Sequence, residues 1–270
     1  FKPDLMFAEL AVTDGGQSPA NIYKYMEGIV RQTWKALPDC DICYVYTVTD
    51  TLIAPLYEGK LPRAASAMEK IADHYGIPSI EMAMEVAKLA KEGKLILKMK
   101  KPVTDEEMAK VGDKMIFAPD GVHPYAETGH ELYLQAILRS WPKIGLASGK
   151  PSPHALVDPF TPDNYENAKM IPIERARLSS GFQKLDPATD PLAKRFGNRV
   201  PSLYRANKPG ETVTFSFKGR SVAIYDLIAP DAGQIIVTLD GKPSVIRARF
   251  DGFATYPRLA TLGIASDLPR

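Results

Sequence analysis

The segment Pro119-Asp120-Gly121-Val122-His123-Pro124, followed by Gly129-His130 at the start of a helix, holds residue types suited to proton transfer. A histidine can take a proton from a nucleophile at Nε2 if a carboxylate on Nδ1 fixes its tautomer and stabilises the imidazolium. An aspartate three residues ahead in a turn can supply that carboxylate locally, with Gly121 giving the bend and Pro124 stiffening the exit. A solvated loop histidine beside a turn-forming aspartate has the same local sequence, so these residues alone leave both readings open.

Other candidates have simpler roles. Ser18 follows two glycines and opens a helix, but its place before Pro19 is that of an N-cap, and no G-x-S-x-G elbow occurs. Cys40 and Cys43 form a lone C-x-x-C where a helix ends and a strand begins, the reverse of the order that activates a redox thiol. A structural zinc would need two further ligands, which the four scattered histidines do not provide. Two packed thiols is the simpler reading.

The elements that position Asp120 and His123 alternate between strand and helix, the pattern of a parallel sheet covered on both faces. Leu5 to Val12 reads as a strand, and Ser18-Pro19 then begins a helix with Ile22, Met26, Ile29, Val30 and Leu37 at helical spacing up to Pro38. Ile42 to Val48 is a buried-strand run. A helix through Ala67, Met68, Ile71 and Tyr75 stops at Gly76, and Ile77 to Ile80 is a short strand. A helix follows from about Glu81 to Lys91, and the Lys-rich stretch from Lys88 to Lys101 reads as a solvated helix face and then a loop. Thr104 with Glu107 makes a capping box. After a loop from Phe117 to Pro124, Tyr133, Leu134, Ile137 and Leu138 mark a closing helix that ends near Trp141-Pro142.

From there the composition shifts to Pro, Gly, Ser and Asp, so we place a Pro-rich surface linker at 146–172 between an α/β domain (1–145) and a second domain (173–270). The second domain has period two. Val213, Phe215 and Phe217 alternate with Thr212, Thr214 and Ser216, Val222 and Ile224 continue, and Ile235, Val237 and Leu239 run into the hairpin signal Asp240-Gly241 before Ile246, Ala248 and Phe250 return. This predicts an antiparallel β-sandwich.

Bulk properties narrow the function classes. At 270 residues, 45% apolar and 24% charged, the chain can build real hydrophobic cores. A formal charge of +2 creates no field that gathers nucleic acid or anionic lipid, and no apolar run approaches the roughly 20 residues that span a bilayer. The sequence begins at Phe1 without Met or a charged-then-apolar leader. It starts on a strand and stops at Leu268-Pro269-Arg270 where another strand is due, so it reads as truncated at both ends.

The motifs together resemble the SGNH, or GDSL-like, hydrolase family. Asp120-Gly121-Val122-His123-Pro124 with Gly129-His130 is similar to its last block, in which Asp and His complete a catalytic triad. Lys2-Pro3-Asp4-Leu5-Met6-Phe7 through Ala11-Val12-Thr13-Asp14 resembles its third block. Glu27, Arg31 and His74-Tyr75-Gly76-Ile77-Pro78 fit one branch of it. The resemblance covers Phe1 to about Ile144 and implies a three-layer α/β/α, flavodoxin-like sheet lacking its N-terminal block.

Two departures stand out. The family's Gly-Asp-Ser nucleophile block and its oxyanion-hole glycine would both precede Phe1. Where its third block has Asn-Asp, this chain has Thr13-Asp14, and a threonine hydroxyl reaches less far toward an oxyanion. Phe217-Lys218-Gly219-Arg220-Ser221-Val222 and Thr238-Leu239-Asp240-Gly241-Lys242 resemble the jelly-roll module of SGNH-type carbohydrate esterases; Tyr225, Phe253 and Tyr256 have the chemistry to stack on sugars, with core or rim packing the simpler reading. The resemblance implies an esterase that removes a small acyl group, acetyl, from a carbohydrate. Asp120 and His123 would serve acid–base chemistry, Thr13 and Asp14 would lie near the oxyanion and substrate, and no metal or organic cofactor would be needed. It also implies a secreted or periplasmic location and a carbohydrate as partner, with no nucleic acid or membrane. The rival is a non-catalytic carbohydrate-binding or scaffold protein on a decayed hydrolase fold. Acyl group, sugar and oligomeric state are not encoded legibly.

Overall fold

A computed structural model of the chain describes residues 2–147, 149 and 152–269. It separates into two compact units, Phe1–Lys169 and Met170–Arg270.

The first unit runs β1 (Leu5–Ala8), α1 (Pro19–Ala36), β2 (Asp41–Tyr46), α2 (Arg63–Tyr75), β3 (Ser79–Glu81), α3 (Met84–Lys91), β4 (Leu95–Lys98), α4 (Asp105–Val111), β5 (Met115–Ala118) and α5 (Glu131–Ala147). Strands β1, β2 and β3 pair in that order, all parallel, and β4 pairs with β5, also parallel. Because side chains alternate across a strand, β2 feeds two cores. Ile42, Tyr44 and Tyr46 join Ile22, Met26 and Val30 of α1 and Met68 and Ile71 of α2. Cys43 and Val45 join Val86 and Ala87 of α3, Phe117 of β5 and Tyr133 and Ala136 of α5. Ile22, Met26 and Val30 recur every four residues and are fully buried, each worth roughly 1.5–3 kcal/mol of transfer free energy.

Local signals fix the element ends. The Ser18 hydroxyl accepts from Asn21 N ahead of Pro19, Gly76 takes the left-handed conformation that closes α2, and Thr104 and Glu107 make a reciprocal capping box.

Elsewhere the structure departs from expectation. The strand expected to reach Val12 ends at Ala8, because the Glu9 carboxylate accepts from Ala11 N and Thr47 N and turns the chain. Within the Lys-rich stretch lies a strand, β4, which pairs with β5 and packs Leu95 and Leu97 on the second core. The closing helix does not stop at Trp141-Pro142. It continues to Ala147 with Pro142 inside, since proline forfeits one helical hydrogen bond while Ile144, two residues further on, still packs on the core.

The segment expected to be a linker docks on the first unit over residues 152–168. Buried Glu27 of α1 accepts from Phe160 N (2.5 Å), Thr161 N (2.8 Å) and Tyr75 Oη (2.6 Å). Arg31 donates to Glu166 (2.6 Å), to the Val157 carbonyl (2.7 Å) and to Tyr75 Oη (3.0 Å). Gln32 donates to the Tyr165 carbonyl, and the His74 ring meets the Asp158 carbonyl at 2.8 Å. His154 stacks on Trp34 with ring centroids 4.4 Å apart, its Nε2 is 2.9 Å from Asp41 Oδ1, and its backbone N–H donates to the Pro38 carbonyl.

The second unit contains β6 (Arg177–Leu178), β7 (Gln183–Lys184), α6 (Pro191–Phe196), β8 (Tyr204–Arg205), β9 (Val213–Thr214), β10 (Val222–Ile228), β11 (Gln234–Val237), β12 (Val245–Ala248) and β13 (Arg258–Ala265). Its pairings β6–β9, β7–β8, β10–β13 and β11–β12 are all antiparallel. At the β11–β12 turn Asp240 and Gly241 both have positive φ, 49° and 71°, and Lys242 N donates to the Leu239 carbonyl, the geometry the Asp-Gly pair signals. The strand expected through Phe217 is only two residues long, matching its two-residue partner β6, and Phe215 and Phe217 lie ring to ring beyond it.

Candidate active site

Parallel strands deliver their following loops to one edge of a sheet, where such folds place their chemistry. Asp120 and His123 follow β5 in such a loop. Asp120 Oδ2 lies 2.6 Å from His123 Nδ1, while Oδ1 accepts from the backbone N–H groups of Val122 and His123, both at 2.9 Å. The hydrogen bond from His123, followed by the two backbone donors, holds the Asp120 carboxyl far below the usual carboxylate range. The His123 side chain remains 83% exposed, so its Nε2 edge is open to an incoming group.

The loop is braced from outside. Gly121 has φ +84°, and an added Cβ would come within 2.5 Å of the Asp50 carboxyl carbon. The Gly121 carbonyl accepts from Asp50 N at 2.9 Å, tying the loop to the segment after β2. Tyr125 N donates to the Phe117 carbonyl, which fixes the exit into a π-helical turn over Ala126–His130 ahead of α5. Asp50 was not signalled by the sequence, because its contact is made 71 residues from Gly121 in the chain.

Thr13 and Asp14 lie in the turn after β1. The Thr13 hydroxyl donates to the Leu10 carbonyl at 3.2 Å, and burial, then the Glu9 charge, raise the Asp14 carboxyl above its usual range. Ser18 is occupied as the α1 cap. The thiols of Cys40 and Cys43 are buried; desolvation raises both, Cys43 to about 11, which removes thiolate chemistry near neutrality.

The sequence also hid a group at the end of β3. Glu81 accepts from Ala83 N at 2.8 Å, and burial, with the charges of Glu69 and Glu9 nearby, pushes it up to about 7. Tyr46 Oη donates to Glu69, and Tyr133 Oη accepts from Val48 N at 3.2 Å. Among the described residues no group of three or more His, Cys, Asp or Glu side chains is placed to hold a metal ion. Among them, too, no helix is long and apolar enough to cross a membrane.

The architecture is therefore a parallel α/β unit, bearing an Asp–His pair beyond a strand end, followed by a unit of antiparallel strands. The same fold occurs in a crystal structure of a two-domain esterase (CEX) active on acetylated mannans, co-crystallized with mannopentaose. It matches with TM-score 0.69 and 19% identity over 99% of this chain and 64% of that one. A further crystal structure of a two-domain esterase (CEX) active on acetylated mannans matches with TM-score 0.67 and 18% identity over 99% of this chain and 65% of that one. The chain thus spans a little under two thirds of each structure, and at this identity the likeness is one of fold. No protein-family model matches the chain, and no curated protein sequence does.

Proposed function

We propose that this chain carries the acid–base half of an SGNH-type serine esterase that removes acetyl groups from a carbohydrate, on a three-layer α/β/α domain joined to a β-sandwich. The observation that carries the reading is the 2.6 Å contact between Asp120 Oδ2 and His123 Nδ1, with Nε2 left open beyond the end of β5. The fold likeness to an esterase active on acetylated mannans supports the substrate class.

In this reading the nucleophile is a serine outside these 270 residues. His123 Nε2 takes the serine proton as the hydroxyl attacks the acetyl carbonyl, and Asp120 holds the imidazolium. The same proton then passes to the departing sugar oxygen. Water, activated by His123, attacks the acyl-enzyme and releases acetate, restoring the serine. No cofactor enters. Such an enzyme works on polysaccharide outside the cytoplasm, in a secreted or periplasmic setting, with Tyr225, Phe253 and Tyr256 as aromatics available to sugar rings.

The test is acetate release from acetylated mannan by the polypeptide that contains this chain together with its serine block. Substituting His123→Ala lowers the rate by about 10³-fold or more; an unchanged rate overturns the reading. A non-catalytic carbohydrate-binding role has one observation in its favour, the Thr13 hydroxyl bonded to the Leu10 carbonyl instead of free for an oxyanion. That role expects mannan oligosaccharide to bind without acetate release.

A further inference from the structure

The loop after β2 touches both turns that carry the candidate site residues. Leu52 N donates to the Thr49 carbonyl at 3.1 Å, closing a β-turn with Asp50 and Thr51 at its centre, and the hydroxyls of Thr49 and Thr51 meet at 2.9 Å. On one side Asp50 N donates to the Gly121 carbonyl, inside the Asp120–His123 loop. On the other, Leu52 closes on Gly15, the residue after Asp14, where an added Cβ would come within 2.9 Å of Leu52 Cδ1. The Gly15 carbonyl in turn accepts from Arg63, at the start of α2, at 2.5 Å. One four-residue turn thus bridges the acid–base loop and the turn of Thr13 and Asp14.

The Asp50 carboxylate sits at this bridge without a bond of its own. A Cβ on Gly121 would fall 2.5, 2.6 and 2.8 Å from its Cγ, Oδ2 and Oδ1, so the group lies over the Gly121 Cα, two residues from His123. An aspartate in a turn ordinarily spends its oxygens on the backbone just ahead, as Asp120 does with Val122 and His123. Among the described residues no side chain or peptide N–H donates to the Asp50 carboxylate, and the residue is half-buried. A partly desolvated charge gains from every donor it meets, and this one stands at the strand ends where parallel sheets take their ligands.

The sign of the charge selects the part of an ester it can face. A carboxylate repels the carbonyl oxygen and the oxyanion that grows from it, so it belongs on the alcohol side of the bond, where a sugar offers hydroxyl hydrogens. We propose that Asp50 is a substrate-binding residue of this site, its carboxylate accepting a hydrogen bond from a free hydroxyl of the carbohydrate that carries the ester. The identity of the ligand rests on the esterase reading; the choice of residue rests on the turn geometry. Asp50 then gives the site its preference for sugar esters over esters of simple alcohols, and it turns away carbohydrates with a carboxylate of their own beside the ester.

The experiment uses the polypeptide extended to hold the serine block, as parent and as Asp50→Ala, which keeps the peptide N–H that bonds Gly121. Acetate release is measured from a methyl mannoside carrying one acetyl group with its other hydroxyls free, and from the same compound with those hydroxyls methylated. Methylation is expected to lower kcat/KM of the parent by about tenfold or more, and Asp50→Ala to lower it by a similar factor on the free sugar. The two losses should not add, so that both changes together cost no more than either alone. Additive losses, in which Asp50→Ala costs the same on both compounds, overturn the proposal and make Asp50 a brace of the loop; so does a variant that loses nothing on the free sugar. Should the parent itself release no acetate, the esterase reading falls, and a titration with mannopentaose followed at the Gly121 amide resonance decides for Asp50. A shift that Asp50→Ala abolishes keeps it as a sugar contact, whereas no shift, or one the variant retains, overturns that as well.

Discussion

Two polar networks of the first unit use similar side chains to opposite ends. Around Glu27, Arg31 and Tyr75, the carboxylate is fully buried and every bond reaches across the fold, most of them to residues 157–166. Around Asp120 and His123 the bonds close within four residues and the ring stands in solvent. Burial commits the first network to holding the molecule together, because removing any member strands the others without water. Exposure leaves the second free to exchange protons, and makes it nearly dispensable for folding.

The largest effect expected from this contrast is on Glu27. Replacing it with alanine leaves three donors unpaired in the interior and should lower stability by about 3–5 kcal/mol, read as a fall in the thermal midpoint with residues 152–168 opened to protease. A midpoint near that of the parent protein would mean the network is not what holds this segment. Next comes Gly121→Ala, which must carry a positive φ and displace the Asp50 carboxylate. A loss of roughly 1–3 kcal/mol is expected in chemical denaturation, and esterase activity of the extended protein should fall with it.

Glu81 gives a smaller, pH-dependent signature. Its native pKa of about 7 lies above the unfolded value, so between the two the native state holds the extra proton. Stability must fall as pH rises from about 4.5 to 7 and level off beyond, by an amount on the order of 1 kcal/mol or more. Glu81→Gln should flatten that slope; denaturation curves at pH 5 and pH 8 that keep the same spacing in the variant would show another group is responsible. The smallest effect belongs to Asp120→Asn. An exposed pair is worth little, so stability at pH 7 should be almost unchanged, whereas the proposed function expects acetate release to collapse. Because the Asp120 carboxyl is held low, its contribution is present above the unfolded aspartate value near pH 3.9 and is lost only in stronger acid. A large loss of stability at neutral pH would erase the distinction between the two networks.

Local chemistry was readable wherever it decided the structure. Ser18-Pro19, Gly76, Thr104 with Glu107 and Asp240-Gly241 each formed the cap or turn that their residue types require, and the Asp120–His123 contact closes within a turn that sequence alone can specify. What depended on distant partners was not readable. β4 sits inside a Lys-rich stretch, pairs with β5 and packs Leu95 and Leu97 on the second core; Pro142 is tolerated because Ile144 still has a core to join. Residues 152–168 have the composition of a surface connection, and the buried carboxylate and guanidinium waiting on α1, with the His154 stack on Trp34, make them part of the first unit.

That docking has an evolutionary corollary. Val157, Asp158, Phe160 and Tyr165 are gripped by their peptide groups, Glu166 and Asp163 as ions, and the rings of His154, Phe160 and Tyr165 pack on Trp34, Tyr23 and Tyr25 of α1. The address is therefore written mainly in α1 and α2. A search for this arrangement in other genomes should therefore look for Glu27, Arg31 and Tyr75 together with the few strap side chains that make contacts of their own, His154, Phe160, Asp163, Tyr165 and Glu166.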